Sequence, residues 1–528
     1  MAAWLSWRAV RLGNGGRLLP RPLAPAPAVC RGASRVASAL QADRPRAAED
    51  LPRVSFPEFI YRLGRSHLVL TLKGNCTQQS YASVTHQIHN KQRYGPIYRD
   101  AMGHVCVNSP DLLEELLRKD EKFPCRADMA LWKEFRDMKG FGYGPFTVEG
   151  ERWYNLRVVL NKRLLHPKDS AQYDGVINEV VTDFIKKIRY LRQCSPTGDV
   201  VTDLANEFYL FSLEGIAAIL FETRLSCLEK EIPAGTQEFI NAIALMFTNS
   251  MAAHIMPKWG RSLLPHWDRY IAGWDGIFIF AKELIDRKME LIQQRLDNEQ
   301  DVEGEYLTYL LSNTQMSTKD IYGSVAELLL AGVDTTSNTL IWALYQLSKN
   351  PEVQNRLYEE VSSIGPVDRL PSAADVTVLP YLRAVIKETL RMYPVVPTNA
   401  RIMTEKDVVI GGYHIPKNTT FLLSHYAISH DKDTFSDSMQ FRPERWLRDG
   451  RERPHPFGSI PFGFGVRGCV GRRIAELEMY LLLTQLIRRF EIQPDPSMGE
   501  VKSINRVVLV PDQQLNLRFV DRRRETAA

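Results

Sequence analysis

From about residue 55 to residue 520 the chain passes from one helix-period segment to the next without a convincing linker, an internal repeat or a low-complexity stretch. Apolar residues follow helical spacing over 176–191, 239–253, 278–296, 321–348 and 474–490, which predicts helices with a buried face. Strand signals are few. Residues 97–108 read as two alternating runs around Met102-Gly103, 408–423 as a hairpin turning at Gly411-Gly412, and 507–520 as another turning near Pro511-Asp512. Without alternating strand–helix–strand units there is no doubly wound parallel sheet. The expectation is one mainly α domain with small β-sheets, against the several domains that 528 residues suggest on length alone.

Charge separates the chain into two parts. Arg8, Arg11, Arg17, Arg21, Arg31 and Arg35 stand in a stretch with no Lys, Asp or Glu, and the first acidic residue is Asp43. Those six arginines exceed the whole net charge of +5, so the body is close to neutral and a nucleic-acid-binding domain is not indicated. An Arg-rich, acid-poor leader whose apolar runs are interrupted has the character of a mitochondrial transit peptide, here over about residues 1–40. Residues 41–54 read as a linker, 55–521 as the domain and 522–528 as a tail. No run of 18 apolar residues predicts a spanning helix, and seven cysteines without a CxxC pair exclude a disulfide scaffold and an ordinary zinc ribbon.

The most specific segment is Phe462-Gly463-Phe464-Gly465-Val466-Arg467-Gly468-Cys469-Val470-Gly471. Its G-x-G-x-x-G lacks the preceding strand and following βαβ unit of a dinucleotide site, because an amphipathic helix and then a tail come next. Cys469 stands just ahead of that helix, where backbone N–H groups and the helix dipole lower a thiol pKa. Glycines let the loop lie flat against something large, and Arg467 offers a cation to an anion. A thiolate facing a flat anionic cofactor points to haem with Cys469 as the axial iron ligand.

Three weaker constellations support this. Glu388 and Arg391 share a helix face, and Arg445 in Phe441-Arg442-Pro443-Glu444-Arg445-Trp446 is placed to complete a buried Glu–Arg–Arg network bracing the cysteine loop. In Ala331-Gly332-Val333-Asp334-Thr335-Thr336, small residues let a helix cross a haem face. The Thr335 hydroxyl is expected to bond the carbonyl four residues back and open the helix for dioxygen, and Asp334 to bring protons inward. Trp153 and Arg157 share a helix face suited to a haem propionate, with Arg401 a further candidate. Each has a plainer reading taken alone: an exposed ion pair, close helix packing, or a chance match.

Together these residues resemble the cytochrome P-450 superfamily of haem-thiolate monooxygenases, over roughly residues 55–520. The resemblance implies a single α-rich prism binding haem b, with Phe462 and Arg467 at the cofactor beside Trp153, Arg157 and Arg401. The leader and Gly471-Arg472-Arg473-Ile474-Ala475-Glu476-Leu477-Glu478 look like the animal mitochondrial class. That class receives electrons from an adrenodoxin-like iron–sulfur ferredoxin with an NADPH-dependent reductase. Arg383, Lys387, Arg472 and Arg473 match its docking cations.

Trp132-Lys133-Glu134-Phe135-Arg136-Asp137, residues 143–147, Leu245-Met246-Phe247, Pro257-Lys258-Trp259 and residues 393–399 look most like the sterol 26/27-hydroxylase branch. Sister branches oxidise vitamin D at the 1α position or retinoids. The branch implies a sterol held by Trp132, Phe146, Met246, Val395 and Val396, with its side chain toward the haem. Ile255-Met256-Pro257-Lys258-Trp259, with Leu263, Leu264, Pro265 and Trp267, reads as a segment dipping into one membrane face, expected to be the matrix side of the inner membrane. The alternatives are a non-enzymatic haem sensor or carrier, and a haem-thiolate isomerase or peroxide-dependent enzyme.

Overall fold

A computed structural model of the chain describes residues 45–58, 77–298, 306–313, 315–448 and 453–522. The leader over 1–40 and nearly all of the predicted tail lie outside the described residues.

The Thr318–Lys349 helix is the axis of the core. Ser317 caps it by accepting the Asp320 N–H at 3.2 Å, and Asp320 places a negative charge in the first turn, where the helix dipole favours it. From residue 323 to residue 348 every side chain is buried except Ala331, Gly332 and Thr335. The Leu204–Leu220 helix, buried almost throughout, packs along it. A Cβ at Gly332 would meet Ile216 at 2.7 Å, so a glycine is required where these two helices touch. Ala234–Ile255 and His266–Asp297 form a second tight pair, and a Cβ at Gly273 would stand 2.6 Å from the Met246 backbone nitrogen. The Arg472–Arg489 helix completes the core against Asp174–Cys194.

All five predicted helices are present, as Asp174–Cys194, Ala234–Ile255, His266–Asp297, Thr318–Lys349 and Arg472–Arg489; His266–Asp297 starts twelve residues before its expected start, and Arg472–Arg489 ends one residue short of its expected end. Tyr270, Gly273, Trp274 and Ile277 continue the buried face of His266–Asp297 through its additional N-terminal turns.

The described strands form four small sheets. Ile97–Arg99 and Val105–Val107 pair antiparallel around Met102-Gly103, as the alternation predicts. The hairpin at Gly411-Gly412, both in the left-handed region, is confined to Val408–Ile410 and Tyr413–Ile415. Thr420–Leu423 leaves it and joins another sheet between Val105–Val107 and Asn399–Ile402. The third expectation is corrected. Val508–Pro511 turns back on Ser503–Arg506 through Val507, which holds φ 71°, while Leu517–Asp521 pairs with Phe490–Pro494. A β-branched residue in that conformation carries no turn signal, so the hairpin was legible only one loop too late.

The described part of the segment read as a linker, from residue 45 on, is docked. Arg46–Ala47 adds a short parallel strand to Tyr413 and His414, and Ala48, Leu51 and Val54 are buried. Among the described residues no helix is long and apolar enough to cross a membrane.

Candidate active site

The cysteine loop is folded on itself by its own backbone. Gly463 and Gly465 take φ of 73° and 67°, a conformation closed to most side chains, and the Cys469 N–H donates to the Phe462 carbonyl at 2.8 Å. Burial pushes the thiol up, against the opposing pull of the Gly471 N–H and of Arg157, Arg126 and Arg472. The expected lowering is therefore corrected: the Gly471 N–H at the helix start acts as foreseen and three arginines not foreseen add to it, while burial outweighs them. Protein surrounds Cys469, yet the residue keeps solvent-accessible surface.

Arginines gather beside this loop. Arg467 donates to the Pro124 carbonyl at 2.6 Å, pairs with Glu149, and lies 3.6 Å over the Trp153 ring. Arg401 pairs with Asp120 at 3.2 Å. Arg157 donates to the Gly468 carbonyl at 2.8 Å and to Asn161 at 3.0 Å, so it grips the cysteine loop itself. Arg126, which no sequence signal singled out, donates to the Arg467 carbonyl at 3.3 Å. Burial and the fields of Arg467, Arg401 and Arg157 push its guanidinium down to about 9. Arg467 falls to about 10, chiefly through burial.

Among the described residues, the buried Arg126 Nε, Arg467 Nη1 and Trp153 Nε1 have no hydrogen-bond acceptor. Four cations, of which Arg467 and Arg401 are paired with the carboxylates of Glu149 and Asp120, together with three orphaned donors form a pocket for an anion. The propionates of haem fit it, and Cys469 fits the iron.

The half-exposed Ala331 and Thr335 sit one turn apart on an otherwise buried helix, so this face borders open space. The Thr335 hydroxyl donates to the Ala331 carbonyl at 2.7 Å, as expected, within a helix that stays continuous. Asp334 turns elsewhere. Its carboxylate accepts the Tyr209 hydroxyl and lies 3.6 Å from Arg506, while Asn338 donates to Tyr209 at 2.9 Å. Burial raises the Asp334 carboxyl, and its Oδ2 is unpartnered among the described residues. Tyr209 and Arg506 are 125 and 172 positions away, and nothing in their local sequence marks them.

The Glu388 network has the predicted members. Arg391 grips Glu388 in bidentate fashion at 2.8 and 2.9 Å, and Arg445 bonds it at 3.1 Å. Trp446 Nε1 and the Arg442 N–H complete its shell at 2.8 and 3.0 Å. Arg391 also donates to the carbonyls of Ser429, Ser438 and Gln440, so the network clamps the segment leading to the cysteine loop. A surface cleft of about 690 Å³ beside it, lined by Gln346, Tyr393 and Arg442, contains none of the cysteine-loop residues.

Arg383, Lys387, Arg472 and Arg473 are all exposed. Partial burial and the fields of Arg383 and Arg472 lower Lys387, so these three form one positive patch, with Glu476 paired to Arg472 at 3.0 Å.

The predicted pocket residues divide. Trp132 and Phe146 meet edge to face at 6.0 Å and stay half-buried. Met246 is corrected to core, wholly buried where Ala234–Ile255 crosses Gly273. Val395 is also core, its carbonyl accepting from Leu509 at 2.9 Å, while Val396 is exposed. The chain bends at these two residues and turns one inward and the other outward, which residue type alone does not reveal.

The sequence matches the Cytochrome P450 family over residues 66–519. It is 47% identical to the mitochondrial sterol 26-hydroxylase of Homo sapiens, covering 91% of this chain and 90% of that one. It is 45% identical to the same enzyme of Mus musculus, over 99% of this chain and 100% of the relative. The mitochondrial 25-hydroxyvitamin D-1 alpha hydroxylase of Homo sapiens is 42% identical, covering 90% of this chain and 93% of the relative. In three dimensions the chain superposes on the haem domain of a cytochrome P450DA mutant with a TM-score of 0.70 at 25% identity, over 84% of this chain and 94% of that one.

Proposed function

The chain belongs to the cytochrome P450 family, and on that premise we propose that it is a mitochondrial sterol monooxygenase that hydroxylates the terminal carbon of a sterol side chain. The observation that carries the reading is the identity of 45–47% to sterol 26-hydroxylases over nine-tenths or more of the chain. Cholesterol or a bile-acid precursor is the substrate class, with the vitamin D side chain as a second substrate.

Haem, held by Cys469, supplies the dioxygen activation that oxidises an unactivated C–H bond. The protein's own residues supply the rest. Arg126, Arg467 and Trp153, with their orphaned donors, and Arg401 beside them would hold the propionates, while Arg157 fixes the Gly468 carbonyl beside Cys469. Thr335 borders the open face of the central helix, and its hydroxyl donates a proton once released from the Ala331 carbonyl. Asp334, whose carboxyl burial raises, is the internal acid, replenished through Tyr209. Trp132 and Phe146 give an apolar wall that admits a slim side chain and holds rigid rings back.

Electrons come from an adrenodoxin-like ferredoxin docking on Arg383, Lys387, Arg472 and Arg473. The enzyme sits on the matrix face of the inner membrane through the apolar tip at Trp259, Leu263 and Leu264, which are 77%, 70% and 52% exposed. Trp267 does not join that tip; it is half-buried with Arg261 stacked on its ring at 3.8 Å.

The test is product analysis by mass spectrometry on cholesterol, a bile-alcohol precursor and vitamin D, with ferredoxin, reductase and NADPH. Terminal side-chain products support the reading. Oxidation confined to ring carbons overturns it and favours the 1α-hydroxylase alternative.

A further inference from the structure

We propose that Glu327 and Arg136 form a buried clamp that sets the Trp132–Phe146 wall and so decides which substrate carbon is presented for oxidation; this rests on the sterol reading above. Glu327 stands one turn before Ala331 on the central helix, on the side of its half-exposed face. Its carboxylate receives three bonds: Arg136 Nη2 at 2.8 Å, the Thr147 hydroxyl at 2.8 Å and the Phe146 N–H at 2.7 Å. Both side chains of the ion pair are fully buried.

Arg136 belongs to the Ala130–Lys139 helix, and its guanidinium is boxed by Trp274 at 4.6 Å, Phe278 at 5.1 Å and Trp132 at 5.6 Å. It also donates to the Trp132 carbonyl at 2.7 Å. One carboxylate on the central helix thus holds the two segments that carry Trp132 and Phe146.

The loop has no latitude above the helix. A Cβ at Gly144 would stand 2.5 Å from Glu327 Oε2, and one at Gly323 would stand 2.5 Å from the Gly142 carbonyl oxygen. The loop therefore rests on the helix surface, and the carboxylate fixes its register. Stability alone is a weak reason for such a pair, because an apolar pair of similar volume holds a core as well. Directional bonds to a backbone N–H, a hydroxyl and a guanidinium do what apolar packing does not: they fix the Phe146 backbone against the helix, and the Phe146 ring against Trp132. Glu327 and Arg136 are positioning residues that act through those two rings.

The test compares Glu327→Gln, Thr147→Ala and Thr147→Ser in the haem-loaded full chain. It reads the ratio of products on cholesterol, half-saturation of the substrate-induced Soret shift, and hydrogen exchange of the Phe146 amide. In Glu327→Gln we expect a product ratio changed at least threefold, half-saturation about tenfold weaker, and faster Phe146 exchange, with the thiolate signature intact. Thr147→Ala should move all three in the same direction by less, and Thr147→Ser should restore the parent values. If Glu327→Gln does not fold, the Thr147 pair decides. A folded Thr147→Ala with parent product ratio and half-saturation overturns the proposal. A parent enzyme that oxidises only rings sinks the sterol side-chain reading separately, since the clamp is judged on the change among variants.

Discussion

Asp334 accepts a hydrogen bond from the Tyr209 hydroxyl across two packed helices, whereas the next residue, Thr335, returns its own hydroxyl to the Ala331 carbonyl. Neighbours on a helix point about 100° apart, so the acid faces a buried polar network while the alcohol faces open space. Thr335→Ala should leave NADPH oxidation running while hydrogen peroxide replaces hydroxylated product. Asp334→Asn should slow turnover on the order of 100-fold. Full coupling in Thr335→Ala would reduce that hydroxyl to a packing role.

The arginine pocket predicts how the cofactor is held. Arg126→Ala should lower haem retention, seen as a reduced ratio of Soret to protein absorbance after gel filtration, with the thiolate signature kept in the haem that remains. Cys469→Ser should abolish that signature, the long-wavelength band of the reduced carbonyl complex, whether or not haem stays. An unchanged band would place the ligand elsewhere.

On the opposite charge balance rests the electron donor. Lys387→Gln or Arg383→Gln should weaken ferredoxin affinity and leave the substrate-induced spectral shift unchanged. The difference from the parent should shrink with added salt, since exposed charges are screened beyond about 8–10 Å. An equal loss of substrate affinity would point to misfolding.

Glu478 makes stability depend on pH. It is buried on the Arg472–Arg489 helix, its Oε1 has no hydrogen-bond partner among the described residues, and burial pushes it up from 4.5 to about 8. The native state therefore keeps a proton that the unfolded chain releases above 4.5. That contribution is full below pH 4.5 and is lost as pH rises through about 8. Glu478→Gln should match the parent near pH 4.5 and exceed it at pH 9 by on the order of 4 kcal/mol, as read by denaturant unfolding. Parallel pH curves for the two proteins would refute a buried titrating carboxyl.

The apolar tip offers a partition test. Trp259, Leu263 and Leu264 are exposed, and Lys258 beside them is exposed and cationic. Replacing the three with Ser should shift the protein from the membrane pellet to the supernatant at unchanged thermal stability. Unaltered partition would mean that another surface makes the contact.

How much of this was legible follows from the range of each interaction. Helix existence is written in the spacing of neighbouring residues, and the Cys469 loop in ten consecutive positions, because glycine conformation and helix start are local properties. Glu388 and Arg391 are one helical turn apart, so their pairing was readable, and Arg445 followed from the short motif around it. Arg126, Tyr209, Arg506 and Glu327 were not readable. Each acquires its partner only when segments 125 to 341 residues apart are packed together, and an arginine or tyrosine in a neutral context looks the same whether it faces solvent or an orphaned carboxylate. Met246 and Val395 show the converse: their type fitted a pocket wall, and only packing decided that they fill the core. The sequence by itself determined the chemistry, because a thiolate loop and an ion-pair helix carry their geometry within a few residues. Tertiary structure alone decided which side chains border the cleft, because burial and long-range pairing are properties of the assembled core.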